Sequence, residues 1–348
     1  MVKFYGCILL ILYSCIGKSQ SLGGHNGFAF LSQPSNATIA SSGGINVSNA
    51  DFDVNRQSSN PALLNKEMDK HLSISYIPFF AQIQAFSSAY ADQFRGNRFG
   101  VGIHYMNYGT MEETDASGNV TGTFQASDYS VSLSHARTEG AYTLGVTVKF
   151  IGSAIANYSS YGVAMDLGGV WKHPKKDWTI GLVIKNAGLT LKKYTPEASQ
   201  QVMPFDVQIG TTFKPEFMPF RFFITAHHLH QPDIAYDDPT LNTSLDANGN
   251  VVSKKISFAD KVARHITLGT ELVLAKAFYI RLGYNHLVHQ EMRLFNGAFN
   301  AGFSFGFQLK LKSLHIGYAR FYQQAAGGVS YITLTANLGG LIKRKEVK

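Results

Sequence analysis

Apolar residues alternate with small or polar ones along most of this chain. Phe303, Phe305, Phe307, Leu309 and Leu311 are separated by Ser304, Gly306, Gln308 and Lys310. A period of two makes a strand with one apolar and one polar face. The same pattern recurs at Phe99/Val101/Ile103/Tyr105, at Tyr129/Val131/Leu133 with serines at 130, 132 and 134 between them, and at Tyr142/Leu144/Val146/Val148/Phe150. It predicts strands at 71–79, 83–91, 98–110, 121–136, 141–153, 159–172, 178–187, 203–213, 220–230, 264–274, 277–286, 297–311, 314–323 and 329–338.

Strands of about 10 residues, apolar on one side and Gly/Ser/Gln/Lys on the other, suit a closed membrane barrel. The connections carry a second signal. Those after the even strands are short, as at 138–140, 173–177, 214–219, 275–276 and 312–313, whereas 112–119, 189–202, 231–263 and 287–296 follow odd strands and are longer. Outer-membrane barrels sort their connections this way, short on the periplasmic side and long outside, and a soluble sandwich has no reason to. The expected fold is all-β, a transmembrane antiparallel up-and-down barrel of about 14 strands over 71–338 with a plug-like N-terminal segment. No later apolar run approaches the roughly 20 residues that a spanning helix requires.

The ends read differently. Lys3 precedes an apolar run over 5–16 and then Gly17 and Ser19, an export signal over 1–19. Leu12-Tyr13-Ser14-Cys15 is a rival lipoprotein box, with the bulky Tyr13 against it. Both cysteines, Cys7 and Cys15, fall inside the signal, so the mature chain is expected to lack disulfides and thiolate chemistry. Residues 20–70 show no strand period and are rich in small residues, yet carry Phe28, Phe30, Leu31, Leu63 and Leu64. Such a segment is expected to fold inside the barrel or against its periplasmic end. A basic tail, 339–348, follows the last strand. The formal charge of +8 comes without a basic helical face, which argues against nucleic acid.

Candidate chemistry is sparse. His227-His228-x-His230 invites a metal reading, but on a strand only His228 and His230 share a face, so no metal site is expected. Asp115-Ala116-Ser117-Gly118-Asn119 and Asp246-Ala247-Asn248-Gly249-Asn250 read as hairpin tips, not calcium loops. The chain has no nucleophile elbow, phosphate loop or His-Glu-x-x-His, so neither catalytic residues nor a cofactor is expected. Asp166, Glu271 and Arg281 fall on the polar parity of their strands. A turn centred on Lys276 would set Glu271 opposite Arg281 as a structural luminal ion pair, with Leu272/Ile280 and Leu268/Tyr284 facing lipid. Trp171 and Trp178 bracket a short turn and are expected at the membrane interface. A cation at Phe305 should be costly and a lysine at Ser304 tolerated.

The long connection 231–263 is the expected outer binding loop, with Asp237, Asp238, Asp246, Asn248, Lys254, Lys255 and Phe258 as candidate partner contacts. It carries a hairpin pattern over 243–255 and helical spacing over 257–264.

Several segments resemble the outer-membrane barrel components of the type IX secretion system of Bacteroidetes. They are the Gly-Gly-x3-Phe-x-Phe-Leu-x2-Pro leader at 23–34, Asn60-Pro61-Ala62, Lys185-Asn186-Ala187-Gly188, the 203–210 stretch MPFDVQIG, and Arg281-Leu282-Gly283-Tyr284-Asn285. The Asn60-Pro61-Ala62 leader is also similar to that of FadL-type channels. The resemblance implies a 14-stranded FadL-like barrel in the cell outer membrane, serving protein secretion and surface attachment. PorU, PorV and PorZ, with secreted cargo, would be its partners. The other reading is a FadL-like channel for small hydrophobic molecules; the polar inward set favours docking over it.

Overall fold

Strand periodicity sets the architecture. The computed structural model describes residues 27–197, 201–235, 243–245, 251–253, 256–275, 277–292, 300–324 and 327–340. The barrel wall is built from β1 (His71–Pro78), β2 (Gln84–Phe94), β3 (Asn97–Thr114), β4 (Val120–Glu139), β5 (Tyr142–Ile155), β6 (Tyr158–Lys172), β7 (Trp178–Lys192), β8 (Asp206–Phe213) and β9 (Phe220–Ala226). A small hairpin, β10 (Thr243–Leu245) and β11 (Val251–Ser253), stands apart. The wall resumes with β12 (Ile266–Leu274), β13 (Phe278–Asn285), β14 (Phe303–Leu311), β15 (Leu314–Gln324) and β16 (Gly327–Asn337). All 14 wall strands pair antiparallel with their neighbours, and β16 closes on β1. Closure removes every sheet edge, which backbone in hydrocarbon requires.

Alternation sorts the side chains. Along β14, Phe305 is 41% exposed and Ser304 4%. The exposed apolar set, including Val131, Leu133, Leu144, Val148, Leu182, Ile224, Leu282 and Leu334, points outward, while the serines and threonines of the same strands are buried inward. An outward band of this kind is stable only in lipid. No helix among the described residues is long and apolar enough to cross a membrane.

Several boundaries differ from the sequence reading: β7 runs on to Lys192 and β14 starts only at Phe303, and three further differences have local causes. β3 runs on to Thr114 and β4 starts at Val120, so the connection expected at 112–119 shortens to 115–119 and Glu112 pairs with Thr123 in the ladder. β8 starts at Asp206, two residues beyond Pro204, which has no N–H to give to a ladder. β9 stops at Ala226, because His228 turns into the left-handed region at φ 56.

Residues 27–70 fill the lumen. Short turns replace periodic structure, and all but the first, Ala29–Ser32, are started by an Asn or Asp side chain. Asn36 caps Ile39, Asp53 caps Asn55, Asn60 caps Ala62 and Asn65 caps Glu67. Phe30, Val54, Leu63, Leu64 and Met68 are buried within or beneath it. The plug bonds to strands all round the wall. Ala37 N donates to Thr333 Oγ1 at 3.0 Å, Gly43 N to Ser304 Oγ at 2.9 Å, and Asn60 Nδ2 to Leu182 O at 3.3 Å. Ser48 Oγ meets Thr212 Oγ1 at 2.8 Å, and Ser87 Oγ donates to Ser35 O.

The inward glycines of the wall make this possible. A Cβ at Gly145 would stand 2.5 Å from Pro61 C, at Gly283 2.6 Å from Ser42 C, at Gly306 2.7 Å from Ser41 Cβ, and at Gly181 2.9 Å from Val47 C. The plug's backbone lies where side chains would otherwise be. The expectation that a lysine is tolerated at Ser304 therefore fails: Ser304 faces inward, but onto the plug, where it accepts from Gly43 N.

Candidate functional site

Charges inside the barrel are gathered at two levels. Near the short-turn end, β12 and β13 pair in the register Glu271–Arg281, Gly269–Gly283 and Thr267–Asn285. Arg281 Nε donates to Glu271 Oε2, both side chains being buried (2% and 0% exposed). Arg221 of β9, in register on the other side, donates through Nη1 to Glu271 Oε1 at 2.5 Å and through Nη2 to Asp177 at 3.2 Å. Arg281 Nη2 reaches Gln308 Oε1 at 2.7 Å and approaches Asp51 at 4.0 Å, and Gln308 Nε2 donates to Asp53 at 3.3 Å. Asp51 is held by Arg56 at 2.8 Å, and Asp53 accepts from Thr38. Glu271 is thus shared by two arginines, and the plug's carboxylates join the same network. Buried charges persist only when paired in this way.

The second level lies above the plug. A cavity of about 780 Å³ separates it from β2 to β8 and reaches the long-loop end at His228, His230, Ile234, Leu287 and Glu291. That volume is within the range of small-ligand pockets. Its wall carries Ser130, Ser132, Ser134 and Thr147 of β4 and β5, then Lys149, Asp166, Lys185 and Asn186. Lys149 Nζ binds Asp166 at 2.7 Å and Asn186 Oδ1 at 2.8 Å, while Asn186 N donates to Asp166 at 2.8 Å. This cluster sits where the β6–β7 register shifts between Met165 and Leu167, with Asn186 left-handed at φ 55. Such a bulge re-aims inward groups. The plug and loops supply apolar lining that strand parity does not reveal: Leu31, Ile39, Ile45, Met203 and Phe205.

At the long-loop end, helix Phe258–Arg264 packs on helix His286–Glu291. Asp260 accepts from His286 Nε2 at 2.8 Å and from Arg264 Nε at 2.9 Å. Burial opposes the charged form of Asp260, but these two partners outweigh it and hold the carboxyl below its usual range. Burial, aided by His228 and His265, pushes His227 down to about 3, so the imidazole is neutral. His227 Nδ1 and His228 Nδ1 lie 2.7 Å apart, which corrects the expectation that a strand would turn them to opposite faces. No group of three His, Cys, Asp or Glu that could hold a metal occurs among the described residues.

The other expected site residues fall as follows. Trp171 and Trp178 meet edge to face, ring centroids 5.4 Å apart, and Trp178 Nε1 donates to Thr211 Oγ1 at 2.9 Å, beside the short turn. Asn60, Pro61 and Ala62 are buried in the plug against β5 and β6. Phe258 is 82% exposed on its helix. The expected contacts Asp237, Asp238, Asp246, Asn248, Lys254 and Lys255 lie outside the described residues, as do the export signal and most of the tail. Sequence reasoning missed a further cluster, in which Asp128 accepts from Tyr108 at 2.6 Å and from Ser153, itself 2.5 Å from Tyr194. Asp128 shares inward parity with Ser130 and Ser132, a signal that was open to reading.

Among solved structures, the toluene transporter TodX of P. putida aligns at a TM-score of 0.53 and 12% identity, over 88% of this chain and 99% of that one. The chain shares the fold of TodX. The Ralstonia pickettii toluene transporter TbuX gives a TM-score of 0.49 at 11% identity, over 90% of this chain and 98% of that one. No family model and no curated protein matches the sequence. The TodX likeness agrees with the FadL-like barrel that the sequence implies, and it is a likeness of fold.

Proposed function

We propose that this chain is an outer-membrane barrel that docks partner or cargo proteins in type IX secretion, as its sequence resemblance to PorQ implies. The observation that carries the reading is the plug. It is bonded to strands round the wall and leaves a cavity of about 780 Å³ that reaches the long-loop end. A lumen filled below and accessible above suits holding better than conducting. The segments that carry the resemblance also build these features. Asn60-Pro61-Ala62 seats the plug, Lys185-Asn186 and Met203-Pro204-Phe205-Asp206 line the cavity, and Arg281 binds Glu271. PorU, PorV and PorZ are the partners this reading names.

A second reading, a channel for small hydrophobic molecules, is favoured by the TodX-like fold and by the apolar residues that the plug and loops add to the cavity. Tagged barrel extracted in mild detergent separates the two. Docking is supported if type IX components co-purify and the barrel in planar bilayers neither conducts nor passes toluene. Solute flux without any co-purifying partner would replace it with the channel reading.

A further inference from the structure

We infer that the cavity at the long-loop end is a carboxylate-binding site anchored by Lys185. The inference deepens the docking reading and rests on it, since it names the chemistry of the docked segment. Both lysines of the cavity point inward, but they differ in what they hold. Lys149 is taken up by Asp166 and Asn186. Lys185 Nζ donates to Ser58 O at 3.1 Å and forms no ion pair among the described residues. An ammonium has three protons to donate, and a backbone carbonyl uses one.

The surrounding polar atoms point the same way. Asn46 Nδ2 and His104 Nε2 are buried and without a hydrogen-bond partner, and both residues line the cavity. Asn46 is itself fully buried, its Oδ1 already accepting from Ser48 N and Asn49 N, so the amide is fixed with its donors free. Gln57 Oε1, also unpartnered, is an acceptor and would need a donor elsewhere on the ligand. Buried polar groups of this kind are normally satisfied. The carboxylates of the cavity are already engaged or displaced to its mouth. Asp166 holds Lys149, and Asp206 accepts from Gln208 Nε2 and His228 N, each at 2.6 Å. Glu291 stands at the mouth, where burial raises its pKa above the usual carboxylate range.

A carboxylate matches the Lys185 ammonium: it accepts only and carries one charge, and the unpartnered nitrogens of Asn46 and His104 belong to the lining of the same cavity. A dianion fits less well, because Asp206 stands opposite Lys185 in register. Leu31 and Ile45 of the plug and Ile234 at the mouth would flank the carbon chain. The carboxylate could be an acidic side chain of a protein segment or a free small acid.

The test uses the full barrel in detergent, with fluorescence anisotropy of a labelled octapeptide containing one glutamate and of the same peptide with glutamine, and with a separate calorimetric titration of octanoate. The glutamate peptide should bind about tenfold more tightly than its glutamine counterpart, the ratio expected for one charge-assisted bond. Lys185→Gln should erase that ratio and Lys185→Arg retain most of it. Asn46→Asp, which keeps the accepting oxygen and adds a negative charge, should lower the ratio without touching Lys185. Equal binding of the two peptides, or a ratio unchanged in Lys185→Gln, would overturn the carboxylate site. Binding of octanoate that depends on Lys185, with neither peptide bound, would keep the carboxylate site and remove the docking reading. Co-purification of partners tests docking separately.

Discussion

Glu271 is the most informative residue to change. Its carboxylate is fully buried, accepts from Arg281 and from Arg221, and stands between a wall strand on each side. In Glu271→Gln the volume is kept and one oxygen can still accept, but the charge that holds both arginines is gone. Removing one partner of a buried pair costs about 3–5 kcal/mol, because the remaining charge stays buried without compensation. Arg221 retains Asp177 and Arg281 retains Gln308, with Asp51 nearby, so the lower end, about 3 kcal/mol, is expected. Urea unfolding in phospholipid vesicles, followed by the fluorescence of Trp171 and Trp178 and by heat-modifiable gel mobility, measures it. The double variant Glu271→Leu with Arg281→Met should recover part of the loss, since it leaves no uncompensated charge on β13. A Glu271→Gln barrel within about 0.5 kcal/mol of wild type, the ordinary scatter of surface changes, would refute the argument.

Other outcomes follow from the same geometry. Phe305→Lys places a cation on the lipid face and should cost about 2–4 kcal/mol, while Ser304→Lys should also destabilise by forcing the plug from Gly43; vesicle refolding of the two variants checks both. Gly145→Val should cost about 1–3 kcal/mol by overpacking against Pro61, whereas Gly169→Val, whose Cβ would stand 3.7 Å from Leu144 Cδ2, should be mild in the same assay. Asp260 has a folded pKa below its unfolded 3.8, so its stabilising effect is complete above that value and is lost as pH falls through the folded pKa. Protection of helix Phe258–Arg264 from hydrogen exchange, corrected for the pH dependence of the chemical rate, should therefore not fall in wild type between pH 7 and pH 5, and should be lower in Asp260→Asn at pH 5.

Strand order and register were legible wherever one face had to meet lipid. The β12–β13 register follows from the turn and from the cost of turning Glu271 outward. Arg221 was not found as its second partner, because β9 and β12 are separated by a long excursion that pins no register. The plug was legible only as apolar residues needing cover. Its turns have no period, though Asn36, Asp53, Asn60 and Asn65 each stand where a cap is needed. Inward Gly and Ser read as a polar lumen, and only the packed structure shows that they make room for another backbone. At His227–His230, strand parity was carried past the point where the backbone leaves the sheet. The Lys185–Asn186 cluster depends on a bulge, which alternation alone does not announce.

The seam between the first and last strands has a consequence for assembly. Ser75 Oγ and Thr333 Oγ1 meet across it at 2.8 Å, Ser73 and Thr335 at 3.0 Å, and Thr333 Oγ1 also accepts a hydrogen bond from Ala37 N. The last wall strand thus meets the first by its own ladder and meets the N-terminal segment through the same Thr333 hydroxyl. Closing the cylinder and seating the lumen segment share that contact, so the seam that hides both sheet edges from other chains is also braced from within.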